Sequence, residues 1–182
     1  MGGEGSGVKG HHTSNAAASQ ALARLAPAVQ EYTRMGYAPM NQLLRTGDVE
    51  GMPIDLREQL KPQIAAIDQY VAQAPKSPAD TLYRGVSFRT ANKRIEVGKV
   101  YEDKGFMSTS LTPEGAQLFK GTNGGILEIQ SKHMGVDITS LSTGALDRAR
   151  EAEVLLPRNT KLMILGIEKR EGKPTIIKAK EL

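Results

Sequence analysis

The amino-acid sequence predicts an α+β fold, with helices gathered first and strands second. Two observations carry this. Apolar residues recur at three- and four-residue steps up to about Ala72, and after Thr81 they stand in short runs broken by Gly, Pro and charged residues. The two textures do not alternate, which argues against βαβ units. On this reading the 182 residues divide into a flexible tail, residues 1–14, and one domain, residues 15–182, helical to residue 80 and strand-rich beyond it.

The elements follow in chain order. The first ten residues hold five glycines and bury nothing, so a flexible tail or linker remnant is expected, with His11 and His12 in solvent. Ala16 to about Met35 reads as helix: alanines favour it, and Leu22, Leu25, Val29 and Tyr32 form one apolar stripe. Ser14 or Asn15 is its expected cap and Gly36 its expected stop. A short helix near Met40–Leu44 and a turn at Gly47-Asp48 come next. A third helix spans about Ile54–Ala72, with Leu56, Leu60, Ile64, Ile67 and Val71 on one face and Pro62 inside, where a kink or break is expected. Ala74–Asp80 reads as a linker. Strands are expected at Leu82–Val86, Lys99–Tyr101, Gly105–Ser108, Gly125–Ile129, Gly135–Ile138, Glu153–Leu156, Lys161–Lys169 and Pro174–Lys180. A short helix is expected at Pro113–Phe119, with Pro113 in its first turn.

Composition excludes several kinds of chemistry. There is no cysteine, so disulfides, thiolate metal sites and cysteine nucleophiles are ruled out. No apolar stretch approaches the ~20 residues that cross a bilayer, and the N-terminus lacks the apolar run of a cleaved secretory signal. No P-loop signature is present. The net charge of +4 suits an anionic ligand or acidic partner and is weak support for nucleic acid.

Three short motifs carry candidate chemistry. In Leu82-Tyr83-Arg84-Gly85, an arginine inside an apolar strand is costly to bury unpaired, its planar fork suits a phosphate, and Gly85 allows close approach to the backbone. In Gly105-Phe106-Met107-Ser108-Thr109-Ser110, hydroxyls can bind a ligand or orient a carboxylate. In Glu151-Ala152-Glu153, a strand beginning at Glu151 would project both carboxylates from one face. Each has a structural alternative: a salt bridge at a strand end, a helix cap, and a solvated charged turn.

In this chain order, Arg, Ser-Thr-Ser and Glu-x-Glu on separate strands resemble the arginine-type mono-ADP-ribosyltransferases. This is the family with the R-S-E arrangement, including cholera-like, clostridial actin-modifying and vertebrate ecto-enzyme members. Glu31-Tyr32-Thr33, Gly36-Tyr37 and Asn41-Gln42-Leu43-Leu44-Arg45 are similar to the N-terminal helical pattern of its toxin branch. Gly124–Ile129 resembles the strand after its nicotinamide-side loop, and Glu151–Pro157 its catalytic strand. The resemblance covers about residues 28–170.

The resemblance implies N-terminal helices packed on a mixed, mainly antiparallel, split β-sheet. It implies an enzyme that cleaves NAD between nicotinamide and ribose and passes ADP-ribose to an acceptor. NAD is then the substrate, and no metal is called for. Arg84 would hold the NAD phosphates, and Gly85 would meet the nicotinamide amide through its backbone. Ser108, followed by Thr109, would position the catalytic glutamate and the nicotinamide ribose. Phe119 would either stack on nicotinamide or pack into the core. Glu153 matches the catalytic glutamate, and Glu151 the upstream acid of members that modify arginine. A carboxylate steadies an oxocarbenium-like ribose, and a second one is needed to hold and help deprotonate a guanidinium, which is a poor nucleophile.

The implied acceptor is thus an arginine of a target protein. Arg148 and Arg150 in the Thr139–Arg150 loop weigh against it unless Asp147 or acidic groups of the target offset them. Water, giving an NAD glycohydrolase, and nucleic acid or NAD-capped RNA stay as alternatives. The expected setting is a monomer without membrane attachment, acting in bacterial or host cytoplasm after delivery by phage or as an effector.

Overall fold

A computed structural model describes residues 10–47, 51–87, 95–120, 124–142, 152–169 and 171–182, with only the backbone of residues 10–14. Helix α1 (Gly10–Glu31) passes through a π-helical turn (Tyr32–Gly36) into α2 (Tyr37–Thr46), and α3 spans Ile54–Gln73. Two expectations are corrected here. The helix starts at Gly10 rather than at a Ser14 or Asn15 cap. Gly36 does not stop it: its φ of −69° and ψ of −23° are helical. The glycine there serves packing, since a Cβ would lie 3.0 Å from both the Glu31 carbonyl and Met40 Cε. Pro62 leaves α3 unbroken. It lies on the exposed face, where the carbonyl that loses its partner is open to solvent.

The strands are β1 (Thr81–Ser87), β2 (Val100–Asp103), β3 (Met107–Ser110), β4 (Gly124–Gln130), β5 (Val136–Asp137), β6 (Glu153–Leu156), β7 (Thr160–Glu168) and β8 (Thr175–Glu181). A short helix, α4 (Pro113–Gln117), links β3 to β4. It is capped by Thr112, whose side chain accepts from the Gly115 amide. The order across the sheet is β2-β7-β8-β4-β1-β3-β6-β5, antiparallel except for β4 beside β8. The fold is therefore α+β with a mixed, mainly antiparallel sheet.

The sheet is nearly divided. β1 and β4 pair along seven positions, whereas β1 and β3 pair only at Tyr83↔Ser110. Two cores form, one on each face of the β3–β6 part of the sheet. Leu82, Val86, Met107, Leu127, Val154, Leu156, Leu162 and Ile177 form one core of strand residues. Val29, Tyr32, Met40, Leu60, Ile64, Ile67 and Val71 from the helices meet Phe106, Val136, Ile138 and Leu155 in the other. Period-two alternation explains the partition: Phe106 and Met107 go to opposite cores, and Leu155 parts from Val154 and Leu156. By the same alternation Glu153 lies on the Leu155 face, toward the helices. No helix among the described residues is long and apolar enough to cross a membrane.

Candidate active site

A cleft of about 300 Å³ opens between the helical layer and the β1–β3 junction, lined among others by Tyr32, Asn41, Arg45, Arg84, Ser108 and Glu153. Gly85, Thr109 and Phe119 also face it. The structure thus brings together every described residue that the sequence singles out. Glu151, like Arg148, Arg150 and Asp147, lies outside the described residues.

Arg84 occupies the place where the β1–β3 ladder fails. Its Nη1 donates to the Ser108 carbonyl at 2.7 Å, and its Nη2 is 3.7 Å from Asp103 Oδ2. A side chain there replaces the ladder bond that a continuous sheet would make. Its Nε is buried without a hydrogen-bond partner among the described residues, which costs about 1–3 kcal/mol.

Asp103 closes β2 and is buried. It accepts Arg45 Nε on Oδ1 and Nη2 on Oδ2, both at 2.8 Å, and its Oδ1 also accepts the Gly105 amide at 2.9 Å. Burial alone would lower the Arg45 pKa, but these hydrogen bonds and the Asp103 charge outweigh it and hold the guanidinium above its ordinary value. Two guanidinium groups share one carboxylate, so this end of the cleft is cationic.

Tyr32 is fully buried, edge-on to Phe106 with ring centroids 5.8 Å apart. Its hydroxyl accepts Asn41 Nδ2 at 3.0 Å and stands 3.3 Å from Ser108 Oγ. Burial pushes its phenol above the ordinary value, with the Ser108 and Asn41 hydrogen bonds and the Arg84 charge acting in the opposite direction. Asn41 Oδ1 accepts the Phe106 amide at 2.8 Å. Side chains thus take the amides of Gly105 and Phe106, so the strand expected from Gly105 begins only at Met107. Thr109 points away from Ser108 and donates to the Val154 carbonyl at 2.6 Å, tying β3 to β6.

Glu153 opens β6, opposite Ser110. The strand begins at Glu153, as expected, and Ala152 before it has φ of +36°; how Glu151 projects lies outside the described residues. That left-handed backbone costs an alanine about 1–2 kcal/mol. It is pinned by the Leu111 amide on the Ala152 carbonyl and the Ile138 amide on the Glu153 carbonyl, at 3.0 and 2.9 Å.

Gly85 has a packing reason beside any ligand: a Cβ would stand 2.3 Å from the Ala116 carbonyl and 2.6 Å from the Lys120 amide. The glycine lets α4 and the turn bearing Phe119 close over β1. The helix ends at Gln117, not Phe119, and Phe119 is 64% exposed on the rim, so its packing into the core is excluded.

This geometry has relatives. A sequence model of the ADP-ribosyltransferase exoenzyme family matches residues 26–182. The chain belongs to that family. Secreted exoenzyme S of Pseudomonas aeruginosa is 29% identical over 139 residues, 74% of this chain and 27% of that protein. The chain therefore spans about a quarter of the length of this relative. The structure of exoenzyme S with human 14-3-3 protein beta, bound to carba-NAD, superposes with a TM-score of 0.68 at 23% identity, over 86% of this chain and 72% of that one. The ADP-ribosyltransferase Vis of Vibrio splendidus, solved with an inhibitor, gives 0.71 at 28% identity, over 88% of this chain and 73% of that one. Vis has also been solved with agmatine. The mixed α+β architecture is the one these ADP-ribosyltransferase toxins share.

Sequence reasoning assigned no role to Tyr32, Asn41, Arg45 or Asp103. The first three stood in the matched pattern Glu31-Tyr32-Thr33 to Arg45, which was the available signal. Asp103 had none.

Proposed function

We propose that this exoenzyme-family protein is a mono-ADP-ribosyltransferase that cleaves NAD and transfers ADP-ribose to an arginine side chain of a target protein. The observation that carries this is the convergence of Arg84, Ser108 and Glu153, from three strands, on one cleft with a cationic end. The Arg84 guanidinium, supported by Arg45 through Asp103, receives the diphosphate at that end. The backbone of Gly85 and the ring of exposed Phe119 receive the nicotinamide, Ser108 completes its surroundings, and Thr109 holds β3 to β6 beside it. Carba-NAD bound to exoenzyme S supports NAD as the ligand.

In the reaction the bond between nicotinamide nitrogen and the anomeric carbon breaks, and its electron pair leaves with nicotinamide. Positive charge develops on the ribose. The Glu153 carboxylate stabilises it while Ser108 orients that carboxylate. A guanidinium nitrogen of the acceptor then bonds to the anomeric carbon and gives up its proton to the Glu151 carboxylate, which also holds the incoming cation. Agmatine, a small guanidinium compound, bound to Vis supports this acceptor class.

The test is incubation with NAD labelled in its adenylate half, with agmatine or with protein as acceptor. Label joined to the acceptor, in step with nicotinamide release, is the expected result. Free ADP-ribose in place of joined label would make water the acceptor, and no nicotinamide release would overturn the reading.

A further inference from the structure

The hydrogen bonds behind Ser108 have a direction. The Phe106 amide can only donate, so the Asn41 atom facing it at 2.8 Å is the carbonyl oxygen. This turns the amide NH2 of Asn41 toward the Tyr32 oxygen, 3.0 Å away, where it donates. The Tyr32 proton then has two acceptors in reach: Ser108 Oγ at 3.3 Å and the Phe106 carbonyl at 3.5 Å. Ser108 shares a strand face with Ser110, which sits opposite Glu153, so Ser108 and Glu153 are diagonal neighbours on one face across β3 and β6. A carboxylate accepts a hydrogen bond more strongly than a phenol oxygen does.

We infer that Tyr32 and Asn41 are positioning residues that set the polarity of the Ser108 hydroxyl. The order runs from the Phe106 amide to Asn41, from Asn41 to Tyr32, and from Tyr32 to Ser108, which leaves the Ser108 proton for the Glu153 carboxylate. Arg84 fixes the other end of the same residue through its carbonyl. Ser108 is thus held at backbone and side chain by different elements. The two helical residues act on the reaction through Ser108, although both lie on the far wall of the cleft.

The inference rests on the proposed NAD cleavage, and a double-mutant cycle separates the two. Nicotinamide release is measured for the wild type, Tyr32→Phe, Ser108→Ala and the double variant. Tyr32→Phe is expected to lower kcat about tenfold, the upper end of one neutral hydrogen bond's worth, with the KM for NAD changed less than about threefold. In the Ser108→Ala background it should cost nothing further. Asn41→Asp offers Tyr32 only an acceptor, so it draws the phenol proton away from Ser108 and should lower kcat at least as far. Losses that simply multiply in the double variant, or a loss confined to KM, would overturn the inference. A wild type that releases no nicotinamide contradicts the function instead. The same cycle in urea unfolding then decides whether Tyr32 and Ser108 are coupled at all, and absence of coupling overturns the chain of hydrogen bonds. Variants that lose cooperative unfolding are replaced by Asn41→Ser, which keeps a donor and should retain more activity than Asn41→Asp.

Discussion

The two cores of this molecule are built on different terms. The core of strand residues, centred on Leu127, Val154, Leu162 and Ile177, is apolar side chains in period-two register. The core beneath the helices has as many apolar groups, yet it adjoins a buried Asp103, Asn41 and the Tyr32 hydroxyl. Each of these polar groups is hydrogen-bonded, and each would be replaced by a hydrocarbon if packing were the only demand. The contrast separates the part of the chain that holds the fold from the part that holds the chemistry. The strand core has buried polar neighbours too, but Thr109 ties β3 to β6 and Glu181 holds the turn after β4, whereas Tyr32 and Asn41 line the cleft at the weak β1–β3 joint.

Substitutions sharpen this contrast, beginning with the largest effect. Leu127→Ala, in the strand core and fully buried, should cost about 2–5 kcal/mol of stability. Urea unfolding would register that loss, while the KM for NAD of the folded fraction stays unchanged. Glu153→Gln should do the reverse. Nicotinamide release should fall about 10²–10³-fold, with the melting temperature within about 2 °C of wild type. If both variants lost stability and turnover together, the division of labour would be wrong.

Much of this was legible in the sequence, and the rest was not for definite reasons. Strand and helix periodicities report which face is buried, so β1, β4, β6 and α3 are read within a residue or two. Arg84, Ser108 and Glu153 were visible because their types and order form a pattern. Asp103 was invisible because its partner Arg45 stands 58 residues away in sequence, and no local pattern encodes that contact. The π turn at Tyr32–Gly36 was missed because Gly36 looks like a stop, whereas its missing Cβ is what lets α2 follow on without a break. The left-handed backbone at Ala152 was not legible, since alanine carries no sign of such a conformation.

Smaller effects probe the polar side alone. Asp103→Asn keeps the shape and removes the charge that Arg45 and Arg84 share. It should cost about 1.5–3 kcal/mol of stability, the value of a charged hydrogen bond, and raise the KM for NAD more than it lowers kcat. The pH dependence of unfolding gives the finest test. The Tyr32 phenol ionises near its ordinary value of 10.0 when unfolded and at higher pH when folded. Between those two values the unfolded state holds fewer protons, so stability is full below about pH 10 and falls as pH rises, by at most about 1.4 kcal/mol per pH unit. Tyr32→Phe should flatten that fall, and an unchanged slope would show that another group causes it.

The most direct measurement is calorimetric titration of NAD into Glu153→Gln and Arg84→Ala side by side. The cleft described here predicts that Glu153→Gln binds NAD within about threefold of its affinity for the wild-type protein under conditions of slow turnover, whereas Arg84→Ala binds at least tenfold more weakly. Equal binding by both variants, or loss of binding in Glu153→Gln alone, would contradict the assignment of the cationic end to the diphosphate and of Glu153 to the reacting ribose.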